Sequence, residues 1–187
     1  MVTFRNYLAR KLPSRSEALP VFSLAVFFIY SWTIFRMFYE PPSWLYYLNI
    51  LNILVLVAYA MMFALVESSL LFVFTCFIGI LLPERIFRQR FVTQGCLLVS
   101  LVCFVAVSAQ RRLGLILQMQ SWQIIIVPLA FILLSIAILV LSAWIYDRFT
   151  RIPAFVQGLA ERISVFVYIY LPLGLLSLGV VLFRNLF

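Results

Sequence analysis

The chain contains no histidine, only one lysine and few charged residues of any kind. Without histidine it lacks the commonest general base, the commonest metal ligand and the usual axial ligand of haem. Charged residues make up 11% of the chain, whereas a soluble domain has about a quarter. These absences exclude an ordinary soluble domain and argue against histidine-based catalysis or metal binding.

Glycine and cysteine are also scarce. The six glycines form no GxxxG motif, so we do not expect glycine-mediated helix crossings to dominate the packing. The three cysteines are Cys76, Cys96 and Cys103, and all lie inside apolar runs. Cys96 and Cys103 are separated by ~10 Å along a helix, too far for a disulfide. We therefore expect three small buried side chains and no cofactor attached to them.

Hydrophobic residues, by contrast, make up 66% of the 187 positions, and the mean hydropathy is +1.14. This composition is typical of an all-α, polytopic integral membrane protein built as a helical bundle. We divide the chain into a basic amphipathic anchor, residues 1–19, and a single transmembrane domain, residues 20–187. In the anchor, Phe4, Leu8 and Leu12 recur at helical spacing among basic residues, which is typical of a helix lying in the headgroup region.

The apolar runs predict about six helical elements, at residues 20–39, 43–66, 69–82, 91–110, 122–146 and 163–183. The stretch 43–83 is the difficult one, because a single helix of that length measures ~60 Å, twice the hydrocarbon core. Glu67 is its only charge before the closing loop, and two serines follow it. We therefore predict a hairpin at Glu67. Its returning arm, 69–82, measures only ~21 Å, which is short for a full span and leaves a re-entrant half-helix as an alternative.

The basic residues favour a different count. With a cytoplasmic N-terminus, six crossings place seven basic loop residues inside and six outside. If 43–83 crosses only once in net effect, ten lie inside and three outside. The positive-inside rule thus favours an odd number of crossings, whereas span length favours six, with 69–82 as the doubtful element.

The net charge of +8 comes from 14 basic and six acidic residues that mostly flank the apolar runs. This placement indicates membrane orientation and contact with anionic lipids rather than nucleic-acid binding. Arg85, Arg88 and Arg90 follow directly after an apolar run. They are the candidate contacts for lipid headgroups.

Four polar residues inside the second apolar stretch are the candidate functional positions. Asn49, Asn52 and Tyr59 are spaced so that they approach one helix face. They either line an intramembrane polar path or hold neighbouring helices together. If Glu67 lies at membrane depth, its carboxylate is expected to have a function such as binding a proton or a cation. If it lies at the surface, it is an ordinary turn residue.

The sequence carries no nucleotide-binding, zinc-protease or hydrolase motif, and its loops are too short for a soluble catalytic domain. We predict that it is not an enzyme. Our hypothesis is a non-catalytic subunit that scaffolds or helps assemble a larger complex with other integral membrane proteins. The alternatives are a small transporter or channel component, and a lipid- or quinone-binding protein. A bacterial inner membrane is the expected location, because the chain is compact and shows no transit peptide.

Overall fold

The computed structural model describes residues 13–39, 44, 46–83, 87–111, 121–148 and 151–186. These residues form six α-helices and no strand, which confirms the all-α prediction for the described part of the chain. Short 3₁₀ turns precede the third and the sixth helix. The helices are α1 (Arg15–Tyr39), α2 (Ile50–Leu81), α3 (Phe91–Arg111), α4 (Ser121–Arg148), α5 (Arg151–Ile163) and α6 (Val167–Leu186).

Among the described residues, four long apolar helical stretches have the length and composition to cross a membrane. They are α1, α2, α3 and the continuous segment Ala154–Leu186, which joins most of α5 to α6. A shorter apolar stretch, Leu129–Ser142, lies within α4. These features fit a multi-pass helical membrane protein, but the predicted count of about six spans is not confirmed.

The hairpin predicted at Glu67 is wrong, because α2 runs unbroken through that position. The hydroxyls of Ser68 and Ser69 each donate to the backbone carbonyl four residues earlier, at 2.6 and 2.9 Å. Hydroxyls bonded in this way are satisfied within the helix and give no reason for it to end. The segment 69–82 is therefore neither a separate short span nor a re-entrant element.

The length of α2 places Glu67 near the middle of the helix. Its 32 residues extend over ~48 Å, longer than the ~30 Å hydrocarbon core and close to the ~40–45 Å of a bilayer with its headgroups. The helix is thus long enough for its two ends to reach the headgroup regions of a bilayer. Glu67 is the eighteenth residue of α2 and lies within ~2 Å of its midpoint.

The first helix begins five residues before its predicted start, and its N-terminus is stabilised by a local motif. The backbone N–H and the hydroxyl of Ser14 both donate to Glu17 Oε2, each at 2.8 Å. A carboxylate three residues after the capping serine is the signature of a capping box. Glu17 also places negative charge at the positive end of the helix dipole. The predicted anchor helix over residues 3–12 lies outside the described residues.

The core of the bundle is organised around α1, which contacts α2, α3, α5 and α6. One buried cluster joins Val21 and Leu24 of α1 to Phe91 and Val99 of α3. A second cluster joins Val26 and Tyr30 of α1 to Met61 and Ala64 of α2, together with Val167 at the start of α6. Because one helix supplies residues to both clusters, α1 is the central element of the packing.

Contacts at the helix ends show that α2 returns the chain to the side from which α1 starts. Arg88, which follows α2, lies 2.9 Å from the carboxylate of Glu17 at the beginning of α1. At the opposite end of α1, Trp32 Nε1 donates to Gln110 Oε1 at 2.7 Å. The helix Ile50–Leu81 therefore runs once along the bundle, the arrangement that the charge count favours and the length argument does not.

This topology predicts which positions react with a membrane-impermeant thiol reagent. In a variant without the three native cysteines, Ser16→Cys and Pro83→Cys are expected to react from the same side of the membrane. Tyr47→Cys, which is on the connection between α1 and α2, is expected to react from the other side. Reaction of Ser16→Cys and Pro83→Cys from opposite sides would contradict a single crossing by α2.

Candidate functional site

Two of the four polar residues predicted on α2 line one pocket at an end of the bundle. Asn52 and Tyr59 face Arg184 and Asn185 from the end of α6 across a pocket of about 530 Å³. Asn49 is exposed at the N-cap of α2, where its side chain makes no capping hydrogen bond. It does not line the pocket. The two α6 residues were not among the predicted positions, although they directly follow the predicted end of the last apolar run.

A hydrogen bond across this pocket joins α2 to α6. The Tyr59 hydroxyl donates to Asn185 Oδ1 at 3.0 Å. In a membrane protein such a bond holds two helices together, because without it the two polar groups would lack a hydrogen-bond partner in the hydrocarbon. The geometry gives Tyr59 a structural partner, which agrees with the interhelical alternative for the polar stripe.

The Tyr59–Asn185 bond is expected to appear as a coupling energy. In a double-mutant cycle of Tyr59→Phe and Asn185→Ala, measured by reversible unfolding in micelles, we expect a coupling of about 0.6–1.7 kcal/mol. Effects that add to within ~0.3 kcal/mol would show that the bond does not hold the helices together.

Glu67 is exposed on α2, roughly 110° around the helix from the side that packs against the bundle. The buried residues of α2 include Ala58, Met61, Ala64 and Ser68 at helical spacing. The face that carries Glu67 is otherwise made of large apolar side chains that are 44–63% exposed. We call it the Glu67 face, and its apolar members are Phe63, Val66, Leu70, Phe74 and Phe77.

The carboxylate of Glu67 has no hydrogen-bond or ion-pair partner within the described part of the chain. It lies eight residues beyond Tyr59, ~12 Å along the helix, and it does not line the pocket that contains Asn52 and Tyr59. The structure thus separates Glu67 from the rest of the predicted polar stripe. It also places the residue inside a continuous helix rather than in a turn.

Of the three arginines proposed to bind lipid headgroups, Arg88 has a protein partner. Its guanidinium donates to both carboxylate oxygens of Glu17, at 2.9 and 3.0 Å, and the side chain is half-buried. Arg90 ends the 3₁₀ turn before α3 and is partly exposed. Arg85 lies outside the described residues. Arg88 therefore contributes to joining α1 to the start of α3, and headgroup binding by this loop stays a prediction.

A buried polar pair between α3 and α4 was not anticipated. Ser142 Oγ donates to Gln94 Oε1 at 3.1 Å, and Gln94 is completely buried. Its amide nitrogen has no hydrogen-bond partner among the residues that the structure describes. Gln94 is an amide side chain near the start of the apolar run 91–110. Its position there is the sequence feature that could have indicated a buried polar contact. A buried amide in this position fixes the contact between two helices.

The described residues offer no chemistry for a metal centre. No three His, Cys, Asp or Glu side chains come together in the ranges that the structure describes. The three thiols are unpaired, with Cys96 buried and Cys76 and Cys103 half-buried. Cys96 therefore packs as predicted, and the other two lie at the edge of the same apolar core.

Comparison of the chain with protein-family models, with curated proteins and with solved structures finds no match.

Proposed function

We propose that this protein is a non-catalytic subunit of a larger integral membrane complex, and that its Glu67 face packs against a transmembrane helix of another protein. The observation that carries the proposal is an unpartnered carboxylate at mid-height of an exposed apolar helix face. A scaffolding or assembly role follows from this arrangement, because the described residues offer a docking face and no catalytic constellation.

The free-energy cost of the Glu67 side chain depends on its position relative to the membrane. An acidic side chain at the centre of a transmembrane helix costs about 2.5–3.5 kcal/mol on insertion scales. Residues of this type inside a membrane nearly always face a protein partner or water rather than lipid. Within this chain, Glu67 faces outward and is surrounded on its face by Phe63, Leu70 and Phe74. A partner outside the chain relieves that cost.

Charge complementarity identifies the chemistry of the partner. A lysine or arginine at the same depth neutralises the carboxylate and satisfies its hydrogen bonds. A second copy of this chain offers no such residue, because all of its basic residues lie near helix ends or between the apolar runs. We therefore assign the Glu67 face to a different protein, with one basic residue inside an apolar transmembrane segment.

The proposed location is a bacterial inner membrane, with the Glu17 end of α1 in the cytoplasm. Support comes from the charge count: with α2 and α4 each crossing once, ten basic loop residues lie on that side and three on the other. Basic residues accumulate on the cytoplasmic side of membrane proteins.

Transport remains the second hypothesis, and the geometry favours it less. A path for solute needs polar groups that line one cavity, yet the pocket around Asn52 and Tyr59 stops short of Glu67. Tyr59 is also occupied by its bond to Asn185. The third hypothesis, lipid binding, is supported by a different surface, an apolar groove between α1 and α3.

Photo-crosslinking in native membranes tests the docking face. A photoreactive residue at Leu70 is expected to capture one other membrane protein, at a site within one helical turn of a lysine or arginine. The same probe at Leu134 on α4, which is similarly exposed, controls for non-specific capture. Glu67→Leu is expected to abolish the adduct at position 70. Adducts to lipid alone, or to a second copy of this chain, would overturn the proposal.

A further inference from the structure

An open apolar groove runs between α1 and α3, away from the Glu67 face. It has a volume of about 690 Å³, within the ~300–1,000 Å³ typical of ligand sites. Its walls are mostly apolar, and Ser100 in the α3 wall already donates to the carbonyl of Cys96 at 2.8 Å. The apolar side chains that line it include Phe28, Phe35, Leu97, Leu101, Phe104 and Val107.

One end of this groove carries a fixed positive charge. The guanidinium carbon of Arg111 lies 6.0 Å from the centroid of the Trp32 ring, a cation–π arrangement. Trp32 is itself held by its hydrogen bond to Gln110. The N–H groups of a guanidinium point outward in its own plane, so a guanidinium over an aromatic ring can still donate to an acceptor. No carboxylate lines the groove among the described residues.

The dimensions match one leaflet of a bilayer. From Leu97 to Arg111 the groove follows α3 for fourteen residues, or ~21 Å. One leaflet measures ~15 Å in its hydrocarbon part and ~20–22 Å with its headgroups. Arg111 ends α3, so its charge lies at the headgroup level when the apolar part of the groove lies in the hydrocarbon. Trp32, which lies beside Arg111, is of a residue type that is enriched at the headgroup level of membrane proteins.

We infer that this groove binds one anionic phospholipid, with an acyl chain between α1 and α3 and the phosphate at Arg111. The inference is independent of docking at the Glu67 face, because none of the groove residues lies on α2. The combination of an apolar channel, a leaflet-length span and a cation at the interfacial end favours a phospholipid over a neutral hydrophobic molecule.

Native mass spectrometry of the purified full-length protein tests this site. Titration with phosphatidylglycerol and, separately, with phosphatidylcholine of the same acyl chains is expected to show one tightly retained phosphatidylglycerol. Arg111→Gln is expected to weaken its retention about fivefold, the contribution of one basic residue near an anionic surface. Arg184→Gln removes the same charge at the same end of the bundle, outside the groove, and is expected to leave retention unchanged.

A second variant separates lipid binding from a general loss of charge. Val107→Trp fills the groove without altering Arg111, and it is expected to abolish retention of both lipids while the protein stays folded by its unfolding temperature. Equal retention of the two lipids by the wild type, or retention by Val107→Trp equal to that of the wild type, would overturn the inference.

Discussion

Replacing Gly174 by alanine is expected to lower the free energy of unfolding by about 2–3 kcal/mol, the upper part of the range for overpacking a core. An added Cβ meets the hydroxyl oxygen of Tyr30 and lies 3.1 Å from Leu65 Cβ. Tyr30 cannot move aside easily, because it is fully buried and stacks on Tyr170 with 5.1 Å between ring centroids. Its hydroxyl also donates to the Met61 carbonyl at 3.2 Å.

Gly179 provides the matched control on the same helix. An added Cβ there meets no atom within 4 Å, so Gly179→Ala is expected to be neutral or to stabilise α6 by up to ~1 kcal/mol through helix propensity. Thermal unfolding in one detergent compares the two variants directly. Equal destabilisation by both would show that helix flexibility, not contact with Tyr30, determines the effect.

Removing the Tyr30 hydroxyl should relieve part of the collision. Tyr30→Phe alone is expected to cost about 0.5–1.5 kcal/mol, the contribution of a typical hydrogen bond. Combined with Gly174→Ala, it is expected to cost less than the sum of the two single changes, because the hydroxyl that the added Cβ meets is then absent. Strict additivity would contradict direct contact between these positions.

The second large effect is expected at Glu67, and it concerns association rather than folding. Glu67→Leu leaves the basic residue of the proposed partner unpaired at membrane depth, which costs about 2.5–3.5 kcal/mol. The complex should therefore weaken roughly a hundredfold, since 1.4 kcal/mol corresponds to a factor of ten. Quantitative co-purification in mild detergent measures the change.

A comparison of stability distinguishes docking from a structural role. Glu67→Leu removes a carboxylate with no partner within the described part of the chain, so the isolated subunit is expected to be as stable as the wild type or more stable. Glu161→Leu makes the same change on α5, where the carboxylate accepts a bond from Gln157, and it should leave the complex intact. A loss of intrinsic stability in Glu67→Leu would contradict the docking interpretation.

The helices themselves were largely predictable from the sequence, because apolar length determines where a chain crosses a membrane. Residues 91–110 were predicted as a span, and α3 is Phe91–Arg111. The predicted hairpin at Glu67 is wrong because a charge followed by two serines does not by itself end a helix. A helix tolerates both when the hydroxyls bond to its own carbonyls. The charge distribution already favoured a single crossing in this region, which agrees with the unbroken α2.

The packing partners were much harder to predict. Gly174 and Gly179 look alike in the sequence, yet only Gly174 faces the hydroxyl of a buried tyrosine. The scarcity of glycine therefore understates its importance, since Gly95 also lies where an added Cβ meets Val21 of α1. Such contacts depend on which helices meet, and one sequence does not show this. The Ser14–Glu17 motif, by contrast, is local and could have been predicted from the sequence, although the predicted helix start at residue 20 missed it.

Native mass spectrometry of the wild-type protein, extracted from its own membrane in mild detergent, tests the central claim most directly. The account predicts a fixed-ratio assembly with another integral membrane protein, whose transmembrane segment carries a lysine or arginine at the depth of Glu67. A lone, stable and monodisperse monomer would contradict it.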